Sequence, residues 1–318
     1  MCNIMNKSKW LYMAVSCVWL FISLYTTALA QEFLEDPLYI EPTLSENAIQ
    51  YDVENPLNLH SSQLIAQSAI LVNGKTGEVL FEKNADMIIY PASTTKIMTV
   101  MLGIMLGNMD TTCIYSEKAA NLPVDSSMIG LEVGETIQMK DLLYATMLRS
   151  GNDGASMIAE AITGDLPSFT EFMNQMAKTL GCTGTHFANA HGYHDDSHYS
   201  TVRDMAKITC SAMGNELFKE IVSTVSYKLP SSNMNASRVL LNTAEQILNE
   251  DLEGNDFYYP YATGVKTGYH ARAGYCFVGS AEKDGVELVS VVFYTSKSGR
   301  WTDTTKLMDY GFALMESR

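Results

Sequence analysis

The 318-residue chain has little positive charge: 21 lysines and arginines stand against 36 aspartates and glutamates, a net charge of −15. This deficit argues against nucleic acid and anionic membrane surfaces as partners, since both attract basic proteins. No internal repeat and no low-complexity segment is present, which excludes repeat architectures and favours an ordinary globular fold. The balance suits a soluble protein that works outside the cytoplasm.

Cysteine is also scarce. Six cysteines occur, of which Cys113, Cys182, Cys210 and Cys276 follow residue 30, with no C-x-x-C spacing among them. Four cysteines allow three disulfide pairings, and the sequence does not choose among them. Cys276 lies in an apolar run, which predicts a buried free thiol, so we expect mostly reduced cysteines in the core.

The only long apolar run comes at the N-terminus. Lys7 and Lys9 precede an apolar stretch over residues 10–25, and the small-x-small pattern of residues 28–30 follows. This order predicts a cleaved signal peptide over residues 1–30. An uncleaved membrane anchor is the alternative, but the apolar run is short for a bilayer span. Membrane contact is expected only if the signal stays uncleaved.

The following segment is acidic. Residues 31–60 contain seven acids, three prolines and no lysine or arginine, so we predict a flexible leader over residues 31–64. The pattern of residues 65–318 predicts a single folded domain. Strand patterns flank the turn at residues 73–77 and return at residues 275–280 and 286–294, with helical patterns between them. We therefore expect an α/β fold with an antiparallel sheet built from both chain ends, flanked by helices, and a mostly helical subdomain.

Ser93 and Lys96 stand three residues apart where a helical pattern begins, directly after Pro91. Residues i and i+3 share a helix face, so the amine can take the proton of the hydroxyl. A lysine acts as a base only when its amine is neutral, which requires burial or a nearby cation such as Lys266. In isolation, the same spacing also fits an ordinary helix start with Ser93 as its cap.

Two further motifs follow in the chain. Ser150 and Asn152 flank Gly151 between two helical patterns, where a hydroxyl can pass on a proton and an amide can hold a substrate amide. Lys266, Thr267 and Gly268 can bind a carboxylate and allow close approach to a strand. Each motif is also compatible with a simple turn. The earlier copy of the last motif, residues 75–77, lies in a hairpin turn and needs no further role.

The order S-x-x-K, S-x-N, K-T-G resembles the signature of penicillin-binding proteins and serine β-lactamases. Short segments around the motifs also match these families, including residues 90–92, 185–187, 200–206 and 273–275. The chain from about residue 65 to residue 318 looks like the low-molecular-mass D-alanyl-D-alanine carboxypeptidases.

The resemblance implies a penicillin-inhibited peptidase that trims peptidoglycan stem pentapeptides through an acyl-enzyme, located outside the cytoplasm as a secreted or wall-associated protein. Ser93 would be the nucleophile, Lys96 its base and Ser150 a proton relay. The implied substrate-binding residues are Asn152, Lys266, Thr267, Gly268, Tyr269 and Arg300. Tyr269 would supply an oxyanion-hole N–H together with Ser93. Many relatives add a second, β-rich domain and a membrane anchor, whereas this sequence ends directly after the predicted last helix.

A histidine-rich stretch invites a metal site. His186, His191, His194 and His198 lie within thirteen residues. No H-E-x-x-H motif accompanies them, and the stretch looks like a family loop that binds no metal. We expect neither a metal nor a cofactor.

Two alternative functions remain. A class A-like β-lactamase would need a glutamate that activates the deacylating water. An E-x-x-L-N string begins at Glu245, which is late in the chain for that role and fits an amphipathic helix. A catalytically idle, penicillin-sensing wall protein would keep the motifs without turnover, and the intact set argues against it.

Overall fold

The computed structural model describes residues 40–44 and 49–318. The predicted signal peptide lies outside the described residues, as does most of the first half of the predicted leader. The strands are β1 Ser68–Asn73, β2 Val79–Lys83, β3 Thr112–Ile114, β4 Thr136–Gln138, β5 Ser226–Leu229, β6 Arg238–Leu241, β7 Ala262–His270, β8 Gly274–Lys283 and β9 Val286–Thr295.

The helices fall mainly between the N-terminal and C-terminal strands. They are α1 Lys96–Leu106, α2 Met139–Arg149, α3 Asn152–Thr163, α4 Leu166–Thr179, α5 Val202–Met213, α6 Glu216–Ser223, the one-turn α7 Glu245–Leu248 and the terminal α8 Gly299–Glu316. None of the helices within the described ranges is long and apolar enough to cross a bilayer.

The central sheet has five antiparallel strands in the order β2-β1-β9-β8-β7. The prediction of a sheet assembled from both ends of the chain is thus confirmed. The inner strands β1, β9 and β8 are mostly buried on both faces, because side chains alternate across a strand and each face has its own cover, whereas the edge strand β2 is partly exposed. On β1, Ile70 packs towards the helices α1–α6, whereas Leu71 packs towards α8 and its Trp301.

Ordered structure begins earlier than predicted. Residues 56–58 and 61–63 form short 3-10 turns, and Leu59 and Leu64 are buried against the cluster around α8. The backbone N–H of Ala66 donates to Asp303 Oδ2 at 2.7 Å, and Lys306 Nζ donates to the Gln63 carbonyl. The last part of the predicted flexible leader therefore packs on the domain, because its two leucines supply an apolar side that its acidic composition concealed.

The four cysteines after residue 30 form no disulfide with one another. Cys113, Cys182 and Cys276 are buried and Cys210 is partly exposed, and all four are free thiols. Burial raises the pKa of Cys276 to about 12, so this thiol stays protonated and unreactive.

Candidate active site

Ser93 lies on a 3-10 turn, Ala92–Thr95, that runs directly into α1 at Lys96. The sequence predicted a helix start here, and the tighter turn serves the same purpose because residues i and i+3 eclipse one another in a 3-10 helix. Ala92 adopts a positive φ of 48° immediately before Ser93. The Lys96 Nζ lies 3.0 Å from Ser93 Oγ.

Lys96 is completely buried, and the hydrogen-bond partners of its Nζ are oxygen atoms. Besides Ser93, its Nζ donates to Asn152 Oδ1 at 2.7 Å and to the His191 carbonyl at 2.6 Å. Burial, followed by the positive charge of Lys266, holds the pKa of this lysine well below its usual value, and Asp153 opposes the shift. The site therefore favours a neutral amine beside the hydroxyl.

Ser150 ends α2 in the left-handed conformation, with φ 59°, and Asn152 begins α3 two residues later. Both side chains are nearly buried. Gly151 fits between them because a side chain there would collide with Ile129, whose atoms lie 2.4 Å from the ideal Cβ position. The structure joins Asn152 to Lys96, whereas within residues 49–318 the Ser150 hydroxyl forms no hydrogen bond with Ser93 or Lys96.

The loop over residues 121–131 is held in place by Asp153, the residue that follows Asn152. Its carboxylate accepts the backbone N–H groups of Ile129, Gly130 and Leu131 at 2.9–3.1 Å. The Asn152 N–H donates to the Ser127 carbonyl at 2.7 Å. These bonds attach the loop over residues 121–131 to the start of α3.

Lys266, Thr267 and Gly268 lie within β7, not in a turn. β7 is an edge strand, and its Gly268 faces the turn Ala92–Thr95, called here the catalytic turn. A Cβ atom on Gly268 would lie 3.1 Å from the Ser93 nitrogen and 3.0 Å from the Pro91 carbonyl oxygen. A side chain at this position would force its neighbours to move by a few tenths of an ångström, so glycine suits this close approach. Tyr269 follows and is about half exposed, and its ring is tilted by 32° against the ring of Tyr275, with 4.4 Å between the ring centroids.

Two cations converge near this strand. Lys266 is fully buried, and its Nζ donates to Thr243 Oγ1 at 3.1 Å and to the Thr267 carbonyl at 3.0 Å. Burial and the neighbouring Arg300 lower the pKa of Lys266 to about 7. No motif pointed to Thr243, which reaches the site from the segment between β6 and α7.

Arg300 stands in the first turn of α8, where its guanidinium packs 4.4 Å from the Trp301 ring and 5.2 Å from the Tyr275 ring. Burial lowers its pKa to about 10. In the part of the chain that the structure describes, Arg300 forms no ion pair with an acid. Together with Lys266 it creates a positive field that lacks a protein counter-charge, which suits a ligand carboxylate.

The histidine-rich loop packs against the catalytic turn. His198 Nδ1 accepts the Ala188 N–H, so its Nε2 carries the proton and donates to Thr95 Oγ1 at 2.7 Å. His191 Nδ1 accepts the Tyr193 N–H. Burial lowers the pKa of both histidines to about 3, so both rings are neutral. Among the described residues no group of three histidine, cysteine or acidic side chains could hold a metal ion.

Two further stretches match a motif in sequence only, namely residues 75–77 and the string that begins at Glu245. Neither takes part in the contacts described above. Residues 75–77 form the turn between β1 and β2, where Lys75 Nζ donates to the Gly285 carbonyl and pairs with Glu287. Glu245 begins the one-turn α7, whose Ile247 is buried in the core. No hydrogen bond within residues 49–318 connects the Glu245 carboxylate to Ser93 or Lys96.

Comparisons with known proteins agree with this geometry. Residues 54–297 match the model of the D-alanyl-D-alanine carboxypeptidase family of peptidases. The chain is 35% identical over 259 residues to the D-alanyl-D-alanine carboxypeptidase DacF of Bacillus subtilis, covering 79% of this chain and 63% of that protein. It is 33% identical over 265 residues to the D-alanyl-D-alanine carboxypeptidase of Streptomyces sp. K15, covering 79% and 88%.

The fold agrees as well. The crystal structure of the Streptomyces K15 DD-transpeptidase superposes with a TM-score of 0.70 at 32% identity, covering 78% of this chain and 97% of that one. The chain spans less than two thirds of the length of the Bacillus relative. The family match nevertheless covers most of this chain and includes all three motifs. The chain therefore belongs to the D-alanyl-D-alanine carboxypeptidase family of serine peptidases.

Proposed function

We propose that this protein is a penicillin-sensitive D-alanyl-D-alanine carboxypeptidase that trims peptidoglycan stem peptides. The observation that carries the proposal is the fully buried Lys96, whose Nζ lies 3.0 Å from Ser93 Oγ. A neutral lysine has two N–H donors and one lone pair. Its two donors satisfy Asn152 Oδ1 and the His191 carbonyl, which leaves the lone pair for the Ser93 O–H.

In the acylation step, Ser93 Oγ attacks the carbonyl carbon between the two terminal D-alanines, and its proton passes to Lys96 Nζ. The developing oxyanion accepts the N–H groups of Ser93 and Tyr269, which Gly268 brings close together. Each such donor contributes about 3 kcal/mol to transition-state stability. The C–N bond then breaks, and Ser150 passes the proton to the departing D-alanine amine. Water finally hydrolyses the ester and restores the serine.

The terminal carboxylate of the substrate binds at β7. Lys266 supplies charge, Thr267 supplies a hydroxyl, and Arg300 adds a second cation from α8. Asn152 holds the amide on the acyl side of the scissile bond. β-Lactams carry the same carboxylate beside a strained amide, so they acylate Ser93 by the same route, and their esters hydrolyse slowly. Because stem peptides lie outside the cytoplasmic membrane, we also propose that residues 1–30 direct export.

The direct test combines covalent labelling with product detection. Intact-mass spectrometry after penicillin treatment is expected to show one adduct, and peptide mapping is expected to locate it on Ser93. Incubation with diacetyl-L-lysyl-D-alanyl-D-alanine is expected to release D-alanine. Labelling without release would favour a penicillin sensor instead, and rapid turnover of a chromogenic cephalosporin would favour a β-lactamase. Either outcome would overturn the proposed activity.

The rate of penicillin acylation is expected to fall on both sides of an optimum near neutral pH. At acidic pH Lys96 is protonated and cannot take the serine proton, so the rate rises as the pH increases. Above pH 7, Lys266 loses its proton because its pKa is about 7, and attraction for the carboxylate declines. Second-order acylation constants between pH 5 and pH 10 test this. A rate that still climbs at pH 9 would contradict the role of Lys266.

An Arg300→Gln variant is expected to bind the peptide substrate about tenfold more weakly, since a charge-assisted contact to the terminal carboxylate is lost. The same change removes the cation that lowers the pKa of Lys266, so the alkaline decline should move to higher pH. The matched control is a substrate whose terminal carboxylate is an amide. The native enzyme should handle this substrate poorly, and the variant should lose little further. Equal losses on both substrates would exclude carboxylate recognition by Arg300.

A further inference from the structure

Two loops flank the Lys96 contacts, and each is fixed to a different motif. The loop over residues 121–131 is fixed to the start of α3, because the Asn152 N–H donates to the Ser127 carbonyl. The loop over residues 186–198 is fixed to Lys96 through the His191 carbonyl, which accepts from Nζ at 2.6 Å. The loop over residues 121–131 therefore borders the cleft beside Asn152, and the loop over residues 186–198 borders it beside Lys96. The second loop also packs on the end of β7, where the ring of His194 lies 5.3 Å from the ring of His270.

One hydrogen bond joins the outer parts of these loops. The Tyr193 hydroxyl donates to Asp125 Oδ1 at 2.8 Å. Tyr193 is two residues from His191, and Asp125 is two residues from Ser127, so this bond closes a ring of contacts that passes through Lys96 and Asn152. Hydrogen bonding to the Asp125 carboxylate raises the pKa of Tyr193, which keeps the phenol protonated and donating.

This bond differs from the other links of the ring. The remaining links involve backbone groups or the buried Lys96, whereas Tyr193 and Asp125 meet through side chains at the solvent-exposed rim. The three Lys96 contacts use neither of these two side chains, so we expect them to persist when the bond is removed. Loss of the Tyr193–Asp125 bond should therefore let the outer parts of the two loops move more freely, with the distances around Lys96 unchanged.

We propose that the Tyr193–Asp125 hydrogen bond is a clasp that fixes the width of the cleft on the acyl side of the scissile bond. The clasp makes the enzyme discriminate among substrates by the bulk of the residue that precedes the two D-alanines. This inference rests on the proposed function, in which the carboxylate lies at Lys266 and Arg300 and the acyl chain passes Asn152 on its way out. Acyl donors with a compact side chain at that residue fit the closed cleft, and donors with a substituted, branched side chain fit it poorly.

The test compares two peptides with the same D-alanyl-D-alanine end. One carries an Nε-acetyl lysine before it, and the other carries the same lysine with a bulky tetrapeptide on Nε. Tyr193→Phe and Asp125→Ala are each expected to raise the ratio of kcat/KM, bulky over compact, about tenfold. The double variant should show the same ratio as either single variant, because both remove one bond. Asp125→Asn keeps an acceptor oxygen and should restore the native ratio.

A matched control separates this role from general destabilisation. Tyr259 donates to Asp309 Oδ1 at 2.9 Å in the other core cluster, so Tyr259→Phe removes a similar bond remote from the cleft. Its ratio should equal that of the native enzyme. A ratio unchanged in Tyr193→Phe, or a parallel loss on both peptides, would overturn the clasp.

The clasp can also be tested if the enzyme hydrolyses neither peptide. Acylation of Ser93 by two β-lactams with small and bulky acylamino groups gives the same ratio without turnover, since that group occupies the acyl side. A tenfold change in this ratio would support the clasp even where D-alanine release fails, and an unchanged ratio would refute it. Failure of release in the native enzyme would count against the carboxypeptidase activity alone.

Discussion

A Lys96→Met variant is expected to acylate Ser93 with penicillin at least about 10³-fold more slowly than the native enzyme, within the range by which general bases accelerate reactions. Methionine nearly preserves the buried volume of lysine, so the loss reflects the missing base and not a cavity. The Ser93 hydroxyl then has no acceptor for its proton. The measurement is the rate at which the covalent adduct appears by intact-mass spectrometry.

The free energy of unfolding of the Lys96→Met variant must be measured alongside this rate. Removing the amine leaves Asn152 Oδ1 and the His191 carbonyl without a donor, which costs about 1–3 kcal/mol for each buried group. Urea unfolding shows whether the variant is still folded at the assay temperature. Ser93→Ala is the reference for complete loss of the adduct, with those contacts of Lys96 retained. If Lys96→Met acylates within tenfold of the native rate, Lys96 is not the base.

Four of the five strands of the central sheet, β1, β2, β8 and β9, and the long helices could be read from the sequence, because their periodicity is strong and local. The hairpin of β1 and β2, the helix α1 and the pair β8 and β9 all appear where the patterns predicted them. The short two-stranded sheets β3–β4 and β5–β6 and the helix α6 were not predicted. Strands of three or four residues give too few alternations to stand out, and they depend on partners distant in the sequence.

The residues and contacts of the site also divide into those that the sequence predicted and those that it did not. The motif residues were identified from order and spacing, and the structure brings Ser93, Lys96 and Asn152 into direct contact. The Lys266 motif allowed a turn as well as a strand, and its strand conformation depends on pairing with β8. Contacts that use backbone groups, such as the His191 carbonyl, leave no trace in residue identity. Such contacts become visible only when tertiary packing is known.

Glycine at residue 192 illustrates a constraint that composition alone does not reveal. Gly192 has a φ of 84°, and an ideal Cβ would lie 1.9 Å from the Ala92 carbonyl oxygen and 2.9 Å from Thr95 Oγ1. A Gly192→Ala variant must therefore displace either its own loop or the turn that carries Ser93. We expect a loss of about 3 kcal/mol or more in unfolding free energy, from backbone strain together with overpacking.

Gly164 provides the matched control, since it has the same φ of 84° and no atom within 4 Å of its ideal Cβ. Gly164→Ala bears the conformational strain alone, about 1–2 kcal/mol. Acylation by penicillin should slow about 100-fold in Gly192→Ala, because displacements near 1 Å in catalytic groups have effects of that size. In Gly164→Ala the rate should be native. Equal unfolding free energies for the two variants would mean that the histidine-rich loop yields freely and does not hold the Ser93 turn in place.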